Sequence, residues 1–174
     1  MMDLEQLKYP IGHFIMSEVF DERQANVWIS EIEALPEQIK KATESLSRNE
    51  LNQTYRSGGW TLRQVIHHLP DSHMNAYIRF KQTITEDVPV IRPYDEVSWA
   101  ETEEARNGDI DMSVALLTSL HHRWITFLKT LKIEDYQRKY IHPAQGKELN
   151  LAMMLGMYAW HGKHHLAHII NTVN

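Results

Sequence analysis

The sequence predicts an all-α protein built as a four-helix bundle with a long crossover loop. Apolar residues recur at three- and four-residue intervals in four long stretches, which is the spacing of one face of an α-helix. One connection, residues 87–110, is long enough to link helices that lie far apart. The 174 residues contain no cysteine, so we expect one domain, 1–174, that buries its core without disulfides.

The first part of the chain predicts an extended arm followed by a long helix. Residues 1–20 show neither helical nor strand periodicity, whereas residues 21–46 carry a helical apolar stripe that begins with Asp21 as N-cap. Pro36 lies within this stripe and predicts a bend or a break, because proline lacks the amide donor and crowds the preceding turn. Residues 47–50 have the pattern of a capping box and predict one short helical turn.

The second long helix has a well-marked beginning. Thr61 and Gln64 form a capping box, and the apolar stripe that follows continues to Ile84. Pro70 lies inside this helix, so we expect a kink shortly after His68.

Two further helices follow the long connection. The third helix is predicted over residues 112–131, and two short alternating runs at 140–149 predict a small hairpin around a glycine-containing turn. Asn150 is then the N-cap of the fourth helix.

The composition excludes several classes of function. The net charge is −5 and the basic residues are scattered, so no surface for nucleic acid or an anionic membrane is indicated. No apolar run approaches the length of a membrane span and no signal segment is visible, so we expect a cytoplasmic protein. The lack of cysteine excludes thiolate ligands and a cysteine nucleophile, and leaves imidazole and carboxylate as the strong metal ligands.

Four of the 11 histidines lie within eight residues of the fourth helix: His161, His164, His165 and His168. His161 and His165 are four residues apart, so their rings leave one face at a separation that one divalent cation can span. Glycine and lysine follow His161, which excludes the His-Glu-x-x-His motif of zinc proteases. We interpret the pair as half of a metal site; the alternative is that both rings are satisfied by backbone and water.

The third ligand is not fixed by periodicity. The candidates are six histidines elsewhere in the chain: His67, His68, His73, His121, His122 and His142. Spacing alone favours His73, near the middle of the apolar stripe of the second helix, whereas His68 lies at the border of that stripe.

A longer pattern resembles a known family. Residues 58–69 read Gly-Gly-Trp-Thr-Leu-Arg-Gln-Val-Ile-His-His-Leu, and Trp160-His161 and His165 follow much later. This combination resembles the DinB/YfiT-like superfamily of metal-binding four-helix bundles, and its YfiT branch most closely. Further matching segments extend the resemblance over nearly the whole chain: residues 9–12, 71–81 and 91–96.

The resemblance implies a ligand set and an activity. The family's ligands fall on His68, eight residues after the tryptophan of the Gly-Gly-Trp motif, on His161 and on His165. The resemblance also implies one divalent ion per chain, zinc or nickel. It further implies a homodimer that acts as a metal-dependent hydrolase or a bacillithiol S-transferase. His164 and His168 would then support the ligands or line a pocket. Pro70 departs from the branch, which has a small helix-forming residue there.

Three neutral imidazoles leave a coordination position for water or substrate, as in catalytic sites. Such an ion activates water for hydrolysis or a low-molecular-weight thiol for transfer to a small-molecule substrate. Two alternatives remain open: a bacillithiol S-transferase without hydrolase activity, and a non-catalytic metal- or ligand-binding protein.

The remaining chemistry is less defined by the sequence. The candidate proton acceptors are four side chains that no spacing ranks: Asp71, His73, Asp95 and Glu96. The alternative for the last two is a cap or a surface ion pair. Arg92 and Tyr94 are candidates to bind a carboxylate or the head group of a thiol cofactor, or else form a structural turn. The aromatic residues Trp60, Tyr158 and Trp160 are candidates for a pocket wall or for the core.

Overall fold

The computed structural model describes residues 3–144 and 146–173. Its helices, in chain order, are α1 (Leu4–Lys8), α2 (Glu22–Thr43), α3 (Arg48–Leu51), α4 (Leu62–Thr85), α5 (Glu96–Ala100), α6 (Glu103–Asn107), α7 (Ile110–Leu128) and α8 (Leu151–Val173). A 3-10 helix, Ile133–Gln137, leads into the hairpin strands β1 (Lys139–His142) and β2 (Lys147–Asn150).

The four long helices α2, α4, α7 and α8 form the bundle. Both α7 and α8 pack against α2 and α4, so α7 and α8 lie at opposite corners. The antiparallel hairpin pairs Lys139 with Asn150 and His142 with Lys147 directly before α8. The predicted all-α four-helix bundle with a hairpin before the last helix is therefore confirmed.

The apolar core consists of two clusters with a polar layer between them. One cluster is centred on Trp28, Phe80 and Trp124, and the other on Leu35 and Leu69. Each of the helices α4, α7 and α8 contributes residues to both clusters. On each of them, buried histidines lie between the residues of one cluster and those of the other. The bundle thus places imidazoles from three helices at the same level of its interior.

Three features of the structure add to or correct the predicted elements. The arm over residues 1–20 contains the short helix α1, which is too brief to show periodicity in the sequence. Helix α2 continues through Pro36, so the break that was one of the two predictions there does not occur. Helix α4 likewise continues through Pro70. The bend at Pro36 and the kink at Pro70 stay predictions. The connection 87–110 includes α5 and α6, which Asp95 and Thr102 cap through their side chains.

The boundaries of the later elements follow their caps. The α7 helix begins at Ile110 because the side chain of Asp109 accepts a hydrogen bond from the amide of Asp111, and it ends at Leu128, before the predicted residue 131. The side chain of Asn150 accepts from the Met153 amide at 2.9 Å and caps α8 as predicted. The capping box of Thr61 and Gln64 is also present at the start of α4.

Candidate metal centre

The candidate metal centre lies where α4 faces α8. His68 projects from α4, and His161 and His165 project from α8; the nearest ligand atoms of the three rings all lie within 4.8 Å of one another. The Nε2 atoms of His68 and His161 are 3.2 Å apart. The ring centres of His161 and His165 are separated by 4.5 Å, as the four-residue spacing predicts.

The donor set fits a divalent ion. Two imidazole nitrogens bound to one tetrahedral zinc ion are separated by about 3.3 Å, close to the observed Nε2 separation. Burial lowers the pKa of His68 to about 4, and burial together with neighbouring imidazoles holds the pKa values of His161 and His165 well below the usual range. All three rings are therefore neutral at pH 7, which is the form that binds a metal. His161 is only partly buried, whereas His68 and His165 are buried.

A second histidine group shares His165 with the first. The ligand atoms of His164, His165 and His168 also lie within 4.8 Å of one another. His168, however, is already engaged at both nitrogens: its Nε2 donates to the carbonyls of Leu7 at 3.1 Å and Lys8 at 3.2 Å, and its Nδ1 lies 3.3 Å from Nδ1 of His165. The second group therefore has fewer nitrogens available for an ion.

His73 lies behind the triad. Its Nε2 is 3.1 Å from Nδ1 of His161, and its Nδ1 is 2.9 Å from Nε2 of His121. The residue that spacing favoured as third ligand thus contacts a member of the triad from the side of the core. His67 faces α7 instead, with its Nδ1 at 2.7 Å from the Ser113 hydroxyl.

Comparison with known proteins identifies the family. The sequence pattern of the DinB superfamily matches residues 31–169. The chain belongs to the DinB superfamily. A Bacillus cereus relative (strain B4264) is 48% identical over 166 residues, 95% of each chain, and a Bacillus thuringiensis relative (subspecies konkukian, strain 97-27) is 47% identical over the same share. Both carry the name "Putative metal-dependent hydrolase".

A solved structure agrees with this assignment. Bacillus subtilis YfiT is 44% identical and superposes with a TM-score of 0.93 over 96% of this chain and 95% of its own. It is described as "a probable metal-dependent hydrolase with an unusual four-helix bundle topology". The predicted membership of this superfamily is therefore confirmed. Among the described residues of this DinB-superfamily chain, no helix has the length and hydropathy needed to span a membrane.

The acidic candidates differ in their surroundings. Asp95 is exposed and accepts hydrogen bonds from the Ser98 amide at 3.0 Å and hydroxyl at 2.6 Å, which lower its pKa. Glu96, in the first turn of α5, is exposed. Asp71, one turn after His68, is partly buried, and burial followed by the charge of Glu104 raises its pKa to about 6. The structure thus distinguishes Asp71 among the acids that the sequence could not rank.

The loop residues predicted to bind a head group line a surface cavity. Arg92 and Tyr94 border about 480 Å³ together with Asn75, Pro93, Asp95 and Trp99. Burial is the main cause that raises the pKa of Tyr94. The binding role of Arg92 and Tyr94 stays a prediction.

The aromatic candidates stand beside the histidines. Trp60 lies 4.9 Å from the ring of His68, and Tyr158 lies 5.6 Å from the ring of His161. Trp160 stacks on His164 at 4.4 Å. These rings limit the directions from which a molecule reaches the triad.

Arg79 is a neighbour of this region that the sequence analysis missed. Its guanidinium is buried, donates to the carbonyl of Arg92 at 3.0 Å, and lies 3.5 Å from the Tyr158 hydroxyl. Among the residues described, no carboxylate pairs with it. A basic residue at helical spacing on the apolar stripe of α4 was the available signal.

Proposed function

We propose that this protein is a divalent-metal-dependent enzyme that acts on a small-molecule substrate, with His68, His161 and His165 as the ligands of one zinc or nickel ion. The observation that carries the proposal is the 3.2 Å approach of the Nε2 atoms of two neutral imidazoles from different helices, His68 and His161. Without an ion, one of these nitrogens must carry a hydrogen and donate it to the other in a hydrogen bond. With an ion, the lone pairs of both nitrogens coordinate the metal. The names of the relatives support the same reading.

The chain supplies the groups around the reaction. A bound ion would provide Lewis acidity toward water, a thiol or the substrate. Asp71, one turn after His68 on α4, is our candidate for the proton acceptor. Burial raises its pKa to about 6, which suits a group that accepts a proton near neutral pH and releases it again. His161 is the one ligand of the three that is partly exposed, so we expect substrate to reach the triad beside it.

The nucleophile is either water or a small thiol. Because the chain has no cysteine, a thiol must come from a second substrate such as bacillithiol. The cavity beside Arg92 and Tyr94 offers a cationic side chain for the carboxylates of such a molecule. Turnover of one electrophile with and without bacillithiol separates the two reactions, since transfer requires the thiol and hydrolysis does not.

Elemental analysis tests the metal site directly. We expect about one equivalent of a transition metal in the purified protein, and its loss in His68→Ala and in His161→Ala. His122→Ala is the matched control, because His122 is an exposed histidine on α7 and its removal should leave the metal content unchanged. Metal retained in both triad variants would contradict the ligand assignment. Metal bound without turnover of any tested substrate would favour a non-catalytic metal-binding protein.

A further inference from the structure

A row of hydrogen bonds leads from the triad into the core and ends at a backbone carbonyl. Nδ1 of His161 is 3.1 Å from Nε2 of His73, Nδ1 of His73 is 2.9 Å from Nε2 of His121, and Nδ1 of His121 is 2.7 Å from the oxygen of Ile32. His73 and His121 are fully enclosed, with 0% and 1% of their surfaces exposed. Water therefore does not compete for these nitrogens.

The carbonyl fixes the direction of every bond in the row. A carbonyl oxygen only accepts, so Nδ1 of His121 carries the hydrogen, and the neutral ring then has a lone pair at Nε2. That lone pair accepts from Nδ1–H of His73, whose Nε2 lone pair accepts from Nδ1–H of His161. His161 is left with its lone pair on Nε2, the atom that faces His68.

Pro36 makes the carbonyl of Ile32 available. In a regular helix this oxygen would accept from the amide four residues later, but proline at position 36 has no amide hydrogen. The oxygen is buried inside α2 and instead accepts the Nδ1–H of His121. The hydrogen bond that proline removes from α2 is thus replaced by one from α7.

A shorter row acts on the other α8 ligand. Nε2 of His168 faces the carbonyls of Leu7 and Lys8 and so carries the hydrogen, which leaves the lone pair of His168 on Nδ1. This lone pair lies 3.3 Å from Nδ1 of His165, which must therefore be the donor. His165 also keeps its lone pair on Nε2.

We propose that His73, His121 and His168 are positioning residues that hold both α8 ligands in the tautomer with hydrogen on Nδ1 and the lone pair on Nε2. The positioning role rests on the proposed function, because it presupposes the metal site. The tautomers themselves follow from hydrogen bonds within the chain and do not require a metal. Metal-bound histidines generally donate their second N–H to a carboxylate, carbonyl or water. Here neutral imidazoles, anchored on backbone carbonyls, take that place.

Nitrogen-15 NMR of histidine-labelled, metal-free protein tests the tautomers. We expect Nδ1-protonated rings at His73, His121, His161 and His165, an Nε2-protonated ring at His168, and loss of the His161 assignment in His161→Gln. An Nε2-protonated His161, or rapid exchange between its two tautomers, would overturn the proposal. This measurement needs no metal, and the tautomers are recorded on the parent protein.

Metal affinity tests the positioning role. In a competition titration with a chelator, His121→Leu should bind Co²⁺ 10- to 100-fold more weakly than the parent and show an altered Co²⁺ absorption spectrum. His121→Gln, whose amide oxygen can accept from His73, should recover part of the affinity. Unchanged affinity in a folded His121→Leu variant would overturn the role. If the parent itself binds no Co²⁺, the proposed function fails, and the NMR result alone then decides the tautomers.

Discussion

Acidification should destabilise the metal-free protein, because its buried histidines resist protonation. The pKa values of His68 and His121 fall from 6.5 to about 4 on folding, chiefly through burial. Between those values the unfolded chain binds more protons than the folded one, so the free energy of unfolding falls as pH falls. From pH 7 to pH 5 each group contributes a loss of about 2 kcal/mol.

Other titratable groups also change the loss of unfolding free energy between pH 7 and pH 5. The lowered pKa values of His73, His161 and His165 add to the loss. Asp71 opposes it because its pKa is raised, but the group is partly exposed and offsets about 1 kcal/mol at most. A net loss of at least about 3 kcal/mol is therefore expected between pH 7 and pH 5.

The dependence of the unfolding free energy on pH is measured by urea denaturation of chelator-treated protein at pH 7, 6 and 5. Far-ultraviolet circular dichroism monitors the unfolding. His121→Gln should flatten the pH dependence by about 2 kcal/mol over the interval, since one buried imidazole is removed. His122→Asn changes an exposed histidine on the same helix and controls for the substitution. An unfolding free energy that is equal at pH 5 and pH 7 would refute the buried, neutral histidine layer.

Three further predictions concern packing, capping and metal. Gly162→Ala should destabilise the fold by about 1 to 2 kcal/mol in urea denaturation, because its Cβ would overlap the buried Leu35 side chain where α8 meets α2; wild-type stability would mean that the helices separate easily. Thr61→Ala should cost about 1 kcal/mol by loss of the N-cap of α4, whereas the conservative Thr61→Ser should not. Zinc or nickel at 100 times its dissociation constant should raise the unfolding free energy by about 2.7 kcal/mol, seen as a higher Tm that His68→Ala abolishes.

Much of the fold was predictable because the long helices carry their own signals. The capping box at Thr61 and the cap at Asn150 specify where α4 and α8 begin, and helical spacing specifies their buried faces. The effect of Pro36 was not predictable in the same way. Its local tendency to interrupt a helix is offset by a hydrogen bond from His121 to the Ile32 carbonyl, two residues that are 89 positions apart in the sequence.

The candidate metal centre was only half predictable from spacing. The positions of His161 and His165 follow from one helix, so their proximity could be inferred directly. Periodicity then identifies the inward face of α4 but not which part of that face meets α8. His73 lies at the centre of the face and contacts His161 from the core, whereas His68 at its border points to the same side as the α8 pair.

The order of synthesis has a consequence for metal loading. Position 161 is translated 93 residues after His68, which at about 5 to 20 residues per second is a delay of about 5 to 20 s. During that interval the emerging chain presents one imidazole of the triad and lacks the helix that completes it. The complete triad therefore exists only after α8 docks, so the proposed site would take up its ion as part of a folded protein and not of a nascent chain.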